Sequence, residues 1–239
     1  MSSAADRDID GVLVVDKPVG LSIQDVVARL RTGLHASKAG HGGTLELDAS
    51  GVVVVLFGKA LHAAEEAVAK DKLLRVTARL GRMTETRFAR DPAVGEQPLA
   101  GIDEGKIQEA AAKMRGDQFL FPAPISVAAI RGARSLVPLP ANALDKTTFT
   151  HIWRFKALKW EAPLLELEVL HTKTCPAGSL IHEFGSQLGC GACIEAIRRV
   201  SCGPFAESEA IPLDDFLANP LTSRLLPMTT ALQRIHDCI

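Results

Sequence analysis

The chain contains no tyrosine, and phenylalanine and tryptophan supply all of its 5% aromatic residues. A site that depends on a phenolic hydroxyl, or on a tyrosine ring beneath a ligand, is therefore excluded. Strong net charge is missing too: 239 residues carry a formal charge of −1, so no global basic field marks a nucleic-acid partner, and any such partner must be held by local patches. No apolar run approaches the roughly 20 residues needed to cross a bilayer. The leader MSSAADRDID has neither an apolar core nor an acid-free, arginine-rich pattern, so it reads as neither signal nor transit peptide. The cysteines (175, 190, 193, 202 and 238) form an odd set, which favours free thiols in a reducing compartment over a disulfide framework.

What is present is an ordinary globular composition, 47% hydrophobic and 23% charged, long enough for one large domain or two small ones. GVLVVDKPVG predicts a buried strand at Val12–Val15 stopped by Lys17-Pro18. After Ser22, Ile23, Val26, Val27, Leu30 and Leu34 share one face of a helix. GVVVVLFGKA predicts a strand buried on both faces, followed by a helix over 60–70. LLRVTARLG alternates, placing Leu74, Val76, Ala78 and Leu80 inside and Arg75 and Arg79 outside. IDEGKIQEAAAKMRG predicts a helix stopped near Gly116, and the Pro- and Ala-rich stretch after it one short strand plus an exposed loop. FKALKWEAPLLELEVLHTK predicts two antiparallel strands joined at Ala162-Pro163, with Leu165, Leu167 and Val169 inward. GSLIHEFGSQLG, GACIEAIRRV and IPLDDFLAN each predict a helix. The class is α+β with a mixed, largely antiparallel sheet: a tail over 1–10, a core over 11–216 and a short extension over 217–239.

Several segments, in order, carry a resemblance: GVLVVDKPVGLS, AGHGGTLELDASGVVVVLFGKA, DKLLRVTARLGRMTETRF, MRGDQFLFPAPISVAAIRG, LELEVLHTK, LGCGA and IRRVSCGPF. Together they resemble the TruB family of RNA pseudouridine synthases over roughly residues 10–215. The resemblance implies a cofactor-free, metal-free enzyme that flips a uridine from an RNA stem-loop, breaks its glycosidic bond and rejoins the base through carbon. It also implies an aspartate nucleophile, a tyrosine against the flipped base and an arginine paired with the aspartate.

Aligned from His41 to Gly51, the nucleophile position holds Glu46, and Leu47 replaces the following proline. The added methylene moves the reacting oxygens by about 1 Å or more, an error that costs about a hundredfold in rate. Asp48 lies about 6–7 Å further along an extended loop, too far for the same attack, and reads first as a loop residue or cap. The tyrosine position is Leu74, the paired arginine becomes Gly178, Pro176 replaces a second tyrosine, and Ile125 and Ala129 replace an aromatic and a cation. Glycines at the turns persist, Gly132 among them. Such losses around one cleft predict a protein that binds RNA without isomerising it. An active enzyme using Glu46 or Asp48, and a protein-docking module with Leu74, Ile125 and Pro176 in contact, are the alternatives.

Expected RNA contacts are Lys17, Lys38, His41, Lys59, Arg75, Arg79, Arg82, Lys173, Arg198 and Arg199. Lys17 has a competing role bracing its turn, His41 one capping the glycine turn, and one of Arg198 and Arg199 a place in a buried ion pair. From Lys70 to Arg90, Lys70, Lys72, Arg75, Arg79, Arg82, Arg87 and Arg90 stand against only Asp71 and Glu85, which favours a phosphate-binding face. Cys190 and Cys193 have the spacing of a metal knuckle without a second ligand pair, so no metal is expected. His182, beside Glu183, reads as packed or solvent-facing rather than catalytic. Expected partners are structured RNA, ribosomal or transfer, and proteins of a ribonucleoprotein assembly in the mitochondrial matrix or cytoplasm. Neither secretion nor a membrane is expected, and without room for an appended RNA-binding domain, help from a partner protein is expected.

Overall fold

The computed structural model describes residues 7–130 and 133–238; the predicted tail before Arg7 and the turn glycine Gly132 lie outside the described residues. The chain forms two compact units, Met1–Lys72 with Arg199–Ile239, and Leu73–Arg198. The first unit carries β1 (Gly11–Lys17), α1 (Ile23–Leu34), β2 (Ala39–His41), β3 (Ser50–Phe57) and, after a 3-10 turn over Gly58–Ala63, α2 (Ala64–Ala69). The second carries β4 (Lys72–Leu80), β5 (Arg82–Thr84), β6 (Ala93–Glu96), α3 (Glu104–Lys113), β7 (Gly116–Leu120), β8 (Ile125–Ile130), β9 (Ala133–Pro138), α4 (Ala141–Leu144), β10 (Thr148–Glu161), β11 (Leu164–His171) and α5 (Ala177–Leu188). The chain returns to the first unit within β12 (Ala192–Cys202), then forms β13 (Phe205–Ala206), β14 (Ile211–Pro212), α6 (Leu213–Ala218) and α7 (Met228–Asp237).

In the first unit β1 runs antiparallel to β3 and parallel to β14, and β2 pairs antiparallel with the end of β3, His41 opposite Val55 and Ala39 opposite Phe57. Successive side chains of a strand point to opposite faces, so the valine runs of β1 and β3 feed two cores. Leu13, Val15, Val53 and Val55 meet Ile23, Val26, Leu30 and Leu34 of α1 and Phe216 of α6. Val12, Val14, Val52 and Val54 meet Ala63, Ala67, Phe205 and the α7 residues Ala231 and Ile235. α1 starts where the sequence predicts: Asp25 N–H donates to the Ser22 hydroxyl at 3.0 Å while Ser22 N–H donates to the Asp25 carboxylate at 3.1 Å. Burying the four aliphatic side chains of α1 contributes about 1.5–3 kcal/mol each.

In the second unit the strand order is β12-β4-β11-β10-β7. β10 is antiparallel to β11 on one side and β7 on the other, and Leu165, Leu167 and Val169 are fully inside as expected. Phe184 of α5 packs on Phe155 with ring centroids 5.1 Å apart. β5 pairs with β6, and β8 with β9. The mixed sheets and flanking helices are the α+β class the patterning predicts.

Four local expectations are corrected. GACIEAIRRV is not a helix but the body of β12, in which Ala192, Cys193, Ile194, Ile197 and Cys202 are buried. Its apolar positions also fit a helical period, and sheet pairing overrides that local signal. The expected single strand after residue 119 is the hairpin β8–β9, and α4 follows it. The helix expected over 60–70 is α2 alone, preceded by the 3-10 turn, since Gly58 leaves β3 at φ +56° and tightens the first turn. α3 ends at Lys113 with Met114 as its C-cap, and Gly116, at φ +91°, opens β7 rather than capping the helix. The patterning predicts no helix where α7 forms.

Candidate active site

The loop between β2 and β3, residues 42–49, carries Glu46 and Asp48 and is held by two cations of its own unit. Lys17, at the end of β1, is completely buried, and its ammonium donates hydrogen bonds to the carbonyls of Pro18 (2.9 Å), Leu21 (2.8 Å) and Leu47 (3.4 Å). Gly20 N–H donates to the same Leu47 carbonyl at 2.8 Å, so the loop is stitched to the turn before α1 through the residue between its carboxylates. Arg199, only 2% exposed, donates from Nε to Val52 O and from Nη1 to Thr44 O, each at 2.6 Å. Its Nη2 is buried and has no partner among the described residues.

Two glycines shape the backbone around the loop. At Gly51, φ is +109° and a Cβ would lie 2.2 Å from the Arg199 carbonyl oxygen, which only glycine tolerates. At Gly43, whose φ is +133°, the N–H donates to His41 Nδ1 at 3.4 Å, so His41 caps the turn. Burial lowers the His41 pKa and favours the neutral acceptor that this bond needs.

The Glu46 side chain keeps part of its surface open to solvent, yet the protein around it pushes its pKa up to about 7. Burial is the largest cause, and the Asp48 charge adds to it; Arg199 and Lys17 oppose both. No described residue hydrogen-bonds the Glu46 carboxylate or pairs with it inside 4 Å. Burial and Arg199 in turn bring Lys17 down to about 8, against Asp48 and Glu46. Asp48 is 7% exposed, a buried loop residue rather than a solvated one. The arrangement is a carboxyl near half-protonation at neutral pH, beside a second carboxylate and two buried cations. It can accept or release a proton; as a nucleophile it is only partly ionised.

Lys17 and Arg199 therefore do not sit on an RNA-facing surface, because all of Lys17's donors and two of Arg199's are spent on backbone carbonyls. Lys38 is exposed, and Lys59 is exposed beside Asp10 at 3.7 Å. In the second unit Arg75 and Lys173 are exposed and Arg198 is half-buried. The basic run is partly neutralised: Lys72 is buried, Arg79 pairs with Glu195 at 2.6 Å and Arg82 with Glu96 at 2.9 Å. Strand pairing brings those acids in, Glu96 from the neighbouring strand β6 and Glu195 from 116 residues along the chain. Leu74 is 4% exposed, packed inside, so it offers no docking contact; Ile125 and Pro176 are half-buried.

Sequence reasoning missed two clusters in the second unit. Buried Asp91 accepts from Thr86 Oγ1 at 2.6 Å and from both terminal nitrogens of Arg134 at 2.9 and 2.6 Å, tying the hairpin β8–β9 to the segment after β5. Arg87 donates to His182 Nδ1 at 2.8 Å. Neither spacing carries a sequence signal, since the partners lie 43 and 95 residues apart. All five cysteines are free thiols; burial raises the Cys190 pKa and pushes Cys193 up to about 11. Among the described residues no cluster of three metal-ligating side chains exists, and no helix is long and apolar enough to cross a membrane.

Comparison with known proteins identifies the family. Residues 31–177 match the TruB family pseudouridylate synthase N-terminal domain, and residues 179–233 the tRNA pseudouridylate synthase B C-terminal domain. The tRNA pseudouridine synthase B of Opitutus terrae is 32% identical over 96% of this chain and 97% of its own length. That of Sodalis glossinidius is 31% identical over 95% and 76%. Among solved structures, a Cbf5-Nop10-Gar1 complex matches with a TM-score of 0.73 at 24% identity, covering 94% of this chain and 62% of that one. An H/ACA RNP bound to a substrate RNA containing 2'-deoxyuridine matches at 0.71 and 23%, over 94% and 61%. The chain thus spans about three fifths of those two structures, which share its fold. With the family's N-terminal domain matched over most of the chain and a relative matched nearly end to end, the chain belongs to the TruB family of pseudouridylate synthases.

Proposed function

We propose that this TruB-family chain binds structured RNA and has lost, or nearly lost, uridine isomerisation, serving in ribonucleoprotein assembly with protein partners. The observation that carries the reading is the state of Glu46: a carboxyl with a pKa of about 7, one methylene longer than the aspartate of the resemblance, and with no hydrogen bond or ion pair among the described residues to aim it. A nucleophile needs both charge and placement, and an error of about 1 Å alone removes about two orders of magnitude in rate. Leu74, buried in β4, supplies no ring for a flipped base. Exposed Lys38 and Lys173 can meet phosphates.

A second reading, an active enzyme using Glu46, is favoured by Lys17 and Arg199, whose charges both stabilise the ionised carboxylate. The purified chain, incubated with tRNA and rRNA transcripts at stoichiometric concentration, separates the two. RNA binding with no pseudouridine at any mapped position is the expected result. Pseudouridine that forms with the wild type and disappears with Glu46→Gln would establish the second reading.

A further inference from the structure

Arg87 is held at a cost that a surface arginine does not bear. Its backbone lies in the left-handed region, φ +68°, which non-glycine residues rarely adopt. It is pinned there by its own N–H donating to Thr84 O at 3.3 Å and by Ile194 N–H donating to Arg87 O at 2.7 Å. The side chain then runs against the first turn of α5, where a Cβ on Gly178 would stand 2.8 Å from Arg87 Cβ and 3.3 Å from Cγ. Position 178 is where the TruB resemblance expects an arginine. Here the helix has no side chain at that point, and the stem of Arg87 passes over it, carrying the guanidinium to His182.

The guanidinium has no paired carboxylate among the described residues, although the Glu183 charge acts on its partner His182. Nη1 donates to His182 Nδ1, and because a guanidinium offers no acceptor, that nitrogen must be the unprotonated one, leaving the imidazole neutral. Nε is buried without a partner among the described residues. No described carboxylate pairs with Arg87, whereas Arg79, Arg82, Arg134 and Arg154 of the same unit each pair with one. The start of α5, a helix of twelve residues, adds the positive end of its dipole close by. A half-buried cation, an orphaned donor and a like-signed helix end together describe a place short of one negative charge.

We propose that Arg87 and His182 form an anion site in the second unit that takes a phosphodiester group of bound RNA, a proposal that rests on the RNA-binding reading above. Arg87 supplies the forked donors that fit phosphate oxygens, and His182 is a positioning residue that fixes the plane of the fork.

The test uses the full chain and two probes. Inorganic phosphate is titrated while the His182 ring signals, assigned with His182→Gln, are followed by NMR. They should shift and saturate in the wild type and stay fixed in Arg87→Ala. Arg87→Lys, which keeps the charge and loses the fork, should weaken the response and serves if the alanine variant does not fold. In the second arm Arg87→Ala should weaken RNA binding about tenfold at fixed salt and lower the slope of log K against log salt by about one. Lys113→Ala, a surface charge on α3 tied to Glu109, should leave that slope unchanged. His182 signals that stay put throughout the phosphate titration would overturn the site, as would equal slope changes in Arg87→Ala and Lys113→Ala. A phosphate response in a chain that binds no RNA would keep the anion site and remove the RNA reading beneath it.

Discussion

Lys17 reaches from the end of β1 to the carbonyl of Leu47, 3.4 Å away, and so anchors the one residue that separates Glu46 from Asp48. The ammonium is wholly buried and serves three backbone carbonyls, so the same group that brings a positive charge near the carboxylates also fixes the loop carrying them.

Removing that brace tests its structural weight. Lys17→Ala should lower the unfolding free energy by about 2–4 kcal/mol, through lost packing and unsatisfied buried carbonyls. Lys17→Met, which keeps the stem, should lose less. Urea unfolding measures both, and a loss below about 1 kcal/mol for the alanine variant would show that the loop holds without the lysine.

The pKa of Glu46 sets a sign. In the folded chain it is about 7 against an ordinary 4.5, so between these values the folded state binds the extra proton and stability falls as pH rises. Glu46→Gln lacks this penalty. At pH 8 the variant should exceed the wild type by about 1–3 kcal/mol, the lower end reflecting the part of the side chain that solvent reaches. The gap should shrink toward zero as pH falls through 4.5. Parallel denaturation curves for the two proteins, with the same gap at every pH, would contradict the raised pKa.

Gly51→Ala should be among the most damaging small substitutions in the first unit. The new Cβ would sit 2.2 Å from the Arg199 carbonyl oxygen and 2.7 Å from its nitrogen, at a φ of +109°. A cost above about 3 kcal/mol is expected from the clash and the strained backbone together. Thermal unfolding reads it directly; a melting temperature within a degree or two of wild type would mean that β3 and Arg199 separate easily.

Gly178→Ala sets two effects against each other. Alanine favours the helix by about 1 kcal/mol, while its methyl must displace Arg87 Cβ. The informative measurement is the titration of His182, whose pKa is now held down by burial first and by Arg87 second. With Arg87 pushed away, that pKa should rise toward its ordinary value. An unchanged His182 titration in a folded variant would mean that Arg87 and Gly178 are not in contact.

Some of this is legible in the sequence. α1 is specified locally, by a 3.6-residue apolar spacing and by the Ser22–Asp25 capping box. β3 and the β10–β11 pair announce themselves by valine runs, by alternation and by the turn at Ala162-Pro163. β12 was hidden because Cys193, Ile194, Ile197 and Val200 satisfy a helical period as well as a strand, and only pairing with distant strands chooses between them. The same holds for charge. The run from Lys70 to Arg90 looks like a basic face until Glu195 and Glu96 arrive across strands to meet Arg79 and Arg82.

The amino-acid sequence alone determined the family, the order of motifs and the presence of a glutamate where an aspartate is expected, because these are properties of residue identity and spacing along one chain. Tertiary structure decided what those residues are in energetic terms. It buried Lys17 and Arg199 beside Glu46, lifted that carboxyl's pKa toward neutrality, and set an arginine from residue 87 against the bare helix turn at Gly178. Burial and electrostatic fields depend on what surrounds a group in three dimensions, and those surroundings come from segments that are remote in the chain.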